Sequence, residues 1–179
     1  MNASASVDAL LHVAVETVFR DTFTESHYVC MVGGADEPLY APAGDGSGVS
    51  VIRYREDFAS SALHEAAHWC IASRRRRQLV DYGYWYEGER DGSAQQRFED
   101  AEVRPQALEW IFTVACGLDF KESADNLAFP ETDTTVFRAR IARAARDMLS
   151  AGLSKRAARF ADALAQRFGG DWRRAAQYR

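Results

Sequence analysis

His64, Glu65 and His68 fall in the stretch Leu63-His64-Glu65-Ala66-Ala67-His68-Trp69, a His-Glu-x-x-His pattern inside a run of helical composition. Residues four apart on a helix lie on the same face, about one turn from each other. Both imidazoles can therefore hold one metal ion from the same side. Glu65 is roughly 100° further round the helix, beside such an ion rather than beneath it. Two histidines and one carboxylate with open positions admit two chemistries. With Zn²⁺, Glu65 serves as general base on a bound water and the reaction is hydrolysis of a peptide bond. With Fe²⁺, the open positions take O₂ and the reaction is oxidation of a C–H bond. The motif by itself favours the hydrolase and does not separate the two metals.

The third donor must come from another element. Residues from Gln95 to Gly117 read as a second helix, with Phe98, Ala101, Pro105, Leu108 and Phe112 facing inward. Pro105 removes one helical hydrogen bond and predicts a kink. Glu102 lies on the edge of the apolar stripe, and Glu99 lies one turn before it. A carboxylate on a buried face needs a positive partner, because an unpaired buried charge is costly. A metal on His64 and His68 supplies that partner; Arg97 or Arg104 is the alternative.

Other elements must position these two helices. Apolar spacing through Leu10, Leu11, Ala14 and Val18 predicts an amphipathic helix over about Val7 to Thr22, with His12 off its stripe and not a ligand. Tyr28 to Val32, Pro38 to Ala41 and Val49 to Arg55 read as short strands. The motif helix is expected from near Ser60, capped by Asp57 or Ser60, to near Arg74. Arg74 to Arg77 would then complement the negative end of its dipole. Leu79 to Asp91 carries Tyr82, Tyr84, Trp85 and Tyr86 between glycines and reads as an extended lip, either core or a wall for a long aliphatic side chain. Helices over Thr134 to Leu149, with Val136, Phe137, Ile141, Ala145 and Met148 inward, and over Ser154 to Phe168 complete the pattern. The expected architecture is α+β and mainly helical, one domain over residues 1–179, with a small antiparallel sheet near the N-terminus. A zincin-like motif helix faces a second, carboxylate-bearing helix.

Bulk properties are those of a globular protein: 179 residues, 47% hydrophobic and 27% charged. No apolar run approaches the ~20 residues that cross a bilayer, and the N-terminus lacks a secretory pattern, so no membrane association and a cytoplasmic location are expected. Cys30, Cys70 and Cys116 have no paired spacing and read as reduced buried thiols. A net charge of −4 argues against a dedicated nucleic-acid binder. The charge is uneven: residues 138–179 hold eleven Arg or Lys against three Asp, and the remainder carries −12. A basic end on an acidic protein suits either an acidic partner or simple solvation.

Longer words add specificity. Asp36-Glu37-Pro38-Leu39-Tyr40, Ala62 to Ala72, Leu79 to Tyr86, Phe98 to Trp110 and Asp125-Asn126-Leu127 together resemble the elongation factor P hydroxylase family, from Asp36 to about Phe168. The resemblance implies a non-haem Fe²⁺ enzyme that hydroxylates the β-lysylated lysine of bacterial elongation factor P. It implies metal donors at His64, His68 and Glu102, with Glu99 as the rival third ligand, and a role for Glu65 in orienting a ligand rather than splitting water. Because elongation factor P is typically acidic, it also implies docking through arginines such as Arg75 and Arg76. Tyr82, Tyr84 and Trp85 would then wall the modified lysine.

Overall fold

The structure, a computed structural model, describes residues 3–44, 48–83, 92–123 and 134–179, with side chains from residue 11 onward in the first segment and from 94 onward in the third. Helix α1 (Ala3–His27) leads into β1 (Val29–Ala35), β2 (Leu39–Ala41) and β3 (Ser50–Arg55). Helix α2 (Ala59–Ile71) carries the paired histidines, and two 3₁₀ turns follow at Arg76–Gln78 and Val80–Gly83. Helices α3 (Gly92–Ala115), α4 (Thr135–Ala151) and α5 (Lys155–Phe168) complete the core, with a last 3₁₀ turn at Ala175–Gln177. Among the described residues no helix is long and apolar enough to cross a membrane.

The sheet is mixed, not antiparallel. Strand β3 lies in the middle, parallel to β1 (Met31 opposite Ile52) and antiparallel to β2 (Tyr40 opposite Ile52). Alternation fixes which face of each strand is buried, here Val29, Met31, Tyr40, Ile52 and Tyr54, but carries no information about which neighbour it pairs with. Strand β1 holds Gly34 at φ +74°, where its ladder with β3 shifts register between Val32 and Ala35.

Helix α3 is the axis of the packing. Residues 105–113 are buried all round, enclosed by α2, α4 and α5. The apolar stripe expected from Phe98 to Phe112 is therefore only part of its buried surface. The helix runs unbroken through Pro105. Helix α2 reaches α3 closely because Ala62, Ala66 and Ala67 are fully buried and add little bulk. Its far side is pinned by Trp69, whose ring meets Phe23 at 4.8 Å and Phe19 at 5.6 Å. Phe160 of α5 closes the cluster against Phe19 and Phe112. Such aromatic pairs add about 0.5–1.5 kcal/mol each beyond area burial. The first helix turns Val18 inward and packs Leu11 against the core as expected, and its buried stripe also takes in Val15, Phe19 and Phe23. In α4, Val136 is exposed rather than inward, while Phe137, Ile141 and Ala145 are buried.

The ends of α2 differ from expectation. Phe58 is the N-cap and no side chain caps the helix, so neither Asp57 nor Ser60 has that role. The helix stops at Ile71, before the arginine run. Its last carbonyls are met by two guanidinium groups: Arg77 donates to Ala72 O at 2.6 Å, and Arg156 of α5 to Ala72 O at 2.7 Å and Cys70 O at 3.0 Å. Positive charge at a helix C-terminus is favourable, but only one arginine of the run supplies it. Ser154 caps α5 as expected, accepting from Ala157 N at 3.3 Å.

The C-terminal tail packs on the core. Trp172 donates to Asp162, and the Tyr178 hydroxyl donates to Trp172 O. Gly170 passes so close to α3 that an added Cβ would lie 1.9 Å from Val114 O. Gly170→Ala should therefore destabilise the protein by about 1–3 kcal/mol, measured by urea unfolding. An unchanged midpoint would show that the tail repositions without cost.

Candidate metal centre

His64 and His68 point from α2 toward α3, and Glu102 meets them. The two Nε2 atoms are 3.1 Å apart, His64 Nε2 is 3.5 Å from Glu102 Oε2, and His68 Nε2 is 3.4 Å from Glu102 Oε1. Three donors held about 2.0–2.2 Å from one first-row ion stand about 3.0–3.5 Å from one another, so the triangle has the size of a metal shell. Glu102 is only 2% exposed, and its Oε2 is shielded with no hydrogen-bond partner among the described residues. A bare buried carboxylate oxygen costs free energy that a cation would relieve. These three residues are the group of acidic and imidazole side chains among the described residues that could hold an ion.

The protein's own charges respond to this proximity. Burial opposes a proton on His64, but the Glu109 carboxylate, with Glu102 and Glu65, outweighs it and raises the imidazole to about 10. Burial opposes ionisation of Glu102 too, yet His68 and His64 bring its carboxyl down to about 2. The pocket is thus built for positive charge beside an ionised carboxylate, supplied by protons or by a metal. Burial pushes Glu65 upward despite the pull of His68 and His64. Cys70, two residues past His68, is buried and its thiol is pushed up to about 12, so it offers no thiolate.

Of the two rival carboxylates, only Glu102 reaches the histidines. Glu99 accepts from Gln95 at 3.3 Å and faces Arg140 at 3.9 Å. Tyr82 is buried, but in a tight turn rather than an extended lip: Asp81 and Tyr82 take φ +46° and +56°. Two successive non-glycine residues in the left-handed region cost about 1–3 kcal/mol each. The turn is held by Asp81 accepting from Tyr40 N at 2.8 Å and by the Tyr82 ring stacked on Tyr40 at 4.4 Å. Beyond it, Tyr82 lies parallel to His68, with centroids 6.4 Å apart.

A small cavity of about 180 Å³ is lined by His68, Tyr82, Ala101, Pro105, Arg76 and Arg104. Arg75 is exposed and takes no part in that cavity. Tyr84 and Trp85 lie outside the described residues. His12 is half-buried and bonds Tyr54 at 2.8 Å, outside the His64, His68 and Glu102 group.

One residue of the centre escapes sequence reasoning. Glu109 Oε2 is 2.8 Å from His64 Nδ1. Its signal was present, a carboxylate seven residues after Glu102 within the apolar run Ala107 to Phe112, and seven residues is close to two helical turns.

With this geometry in view, comparison with known proteins decides the family. Residues 18–178 match the model of a family described as elongation factor P hydroxylase. A relative from Haemophilus influenzae, the elongation factor P lysine hydroxylase, is 43% identical over 141 residues, covering 78% of this chain and 79% of its own. The chain belongs to the elongation factor P hydroxylase family. The family match includes the C-terminal tail, which the sequence resemblance had left outside.

Two predictions follow from the geometry. His64→Ala, His68→Ala or Glu102→Ala should abolish stoichiometric metal binding, whereas Glu99→Ala should retain it, as read by metal analysis after gel filtration. Among the described residues the buried Tyr82 Oη has no hydrogen-bond partner, so Tyr82→Phe should raise stability by about 1 kcal/mol in a thermal or urea melt.

Proposed function

We propose that this protein, acting as one domain over residues 1–179 in the cytoplasm, hydroxylates the β-lysylated lysine side chain of elongation factor P. The observation that carries the reading is the convergence of His64, His68 and Glu102 in a chain of the elongation factor P hydroxylase family. The donor set, two imidazoles and one carboxylate, suits Fe²⁺, which supplies O₂-dependent oxidation of a C–H bond when bound.

The chain's own residues have separable tasks. When a metal binds, His64 and His68 would offer their Nε2 atoms from one helix face, and Glu102 brings a full negative charge already ionised by its neighbours. Glu65, whose carboxyl burial pushes upward, is assigned to orienting a ligand beside the three donors. The zincin-like motif helix and its carboxylate-bearing partner thus serve oxidation rather than peptide hydrolysis. The runner-up, a minimal zinc metallopeptidase, rests on the His-Glu-x-x-His pattern alone.

Tyr82, together with Tyr84 and Trp85, is assigned to the wall that receives the modified lysine. The arginine-lined cavity beside His68 is below the roughly 300–1,000 Å³ of pockets for drug-sized ligands. Arg75 and Arg76 are instead assigned to docking the acidic surface of the substrate protein, which attracts them over a distance of about 8–10 Å at physiological salt. The reading includes no direct nucleic-acid partner and no membrane.

Incubation of β-lysylated elongation factor P with Fe²⁺-loaded enzyme, O₂ and a reductant should add one oxygen atom, seen by mass spectrometry. His64→Ala should abolish the gain. No mass gain from enzyme of verified iron content would refute the assignment. Arg75→Glu should raise KM for the protein substrate several-fold with kcat unchanged, and an unaltered KM would remove that docking role.

A further inference from the structure

We propose that Glu109 is a positioning residue that fixes the tautomer and ring orientation of His64 for metal binding; this rests on reading His64, His68 and Glu102 as the metal donors. An ionised carboxylate only accepts hydrogen bonds. With Glu109 Oε2 at 2.8 Å from Nδ1, Nδ1 is the nitrogen that keeps its proton when a metal takes the other. The lone pair is then on Nε2, the atom that faces His68 at 3.1 Å and Glu102 at 3.5 Å. His64 is gripped at one nitrogen and offers the other. Among the described residues no carboxylate performs the same service for His68.

The placement of Glu109 is rigid. Glu109 is 7% exposed, in the stretch of α3 that is buried on all sides. Ala107, Leu108, Trp110, Ile111 and Phe112 flank it, none more than 4% exposed. Thr113 Oγ1 donates to its main-chain oxygen at 2.8 Å. Two turns of one helix thus carry two carboxylates to opposite nitrogens of one ring, Glu102 at the metal-facing edge and Glu109 behind. Packing alone does not ask for a charge there. An apolar side chain of similar size would fill the space without the desolvation penalty of a carboxylate. Glu109 also borders a cleft lined by Leu11, Phe58, Ser60, Leu63 and Phe120, so a smaller side chain opens onto existing space.

The test uses the full-length protein loaded with Co²⁺, following its visible absorption and the rate of Co²⁺ loss to excess EDTA. Glu109→Ala should release Co²⁺ about 10–100-fold faster than wild type, with a shifted absorption band. Glu109→Gln, whose amide oxygen can still accept from Nδ1–H, should keep the wild-type band and release about 3–10-fold faster. A merely structural Glu109 would lower the melting temperature and leave release rate and band unchanged, which overturns the proposal. If Glu109→Ala does not fold, Glu109→Gln decides, and release at the wild-type rate is again the overturning result. A wild-type chain that takes up no Co²⁺ overturns the metal reading itself, and the positioning role with it.

Discussion

The structure depends on a buried carboxylate held against two imidazoles. Glu102 is nearly sealed from water, and an ion in such a place is tolerated only with charge and hydrogen bonds brought to it. His64 and His68 do so only if α2 stays pressed against α3. That contact is secured from behind, where Trp69 locks into Phe19, Phe23 and Phe160. Arg77 and Arg156 hold the helix end just beyond His68. Helix α3 cannot retreat, since it is enclosed along 105–113. The apolar core thereby sets the spacing of the polar site.

The sheet contributes on the other flank. Strand β2 presents Tyr40, whose N–H binds Asp81, whose ring carries Tyr82 and whose hydroxyl donates to Arg77 O at 2.8 Å. The left-handed pair Asp81–Tyr82 is strained and persists because these contacts over-determine it. Burial and the nearby Glu65 keep the Tyr82 phenol well above its ordinary range, so it remains a neutral hydroxyl next to His68. Strain, a hydroxyl unpaired among the described residues and a cavity wall coincide within one turn. Functional sites concentrate such features because the rest of the fold compensates for them.

Local periodicity made much of this legible. Four residues between His64 and His68 place both on one helix face whatever surrounds them, and the edge position of Glu102 already demanded a positive partner. The core of α3, the strands around Met31, Tyr40 and Ile52, and the Ser154 cap are likewise readable, because each depends on neighbours within a few residues. Choosing Glu102 over Glu99 required the facing helix: the two are one turn apart in sequence, yet one meets the histidines and the other Arg140.

What the chain by itself determined was the inventory of candidate donors and the helices and strands that carry them, since period and propensity act over short distances. Tertiary structure alone decided how the strands pair, why Arg77 and Arg156 close α2, how Tyr82 comes to lie beside His68, and that Glu109 stands behind His64. Each of these is a contact between residues far apart in sequence, selected by packing and by the cost of leaving a buried polar group unpaired. Neither constraint is written in the spacing of any one segment.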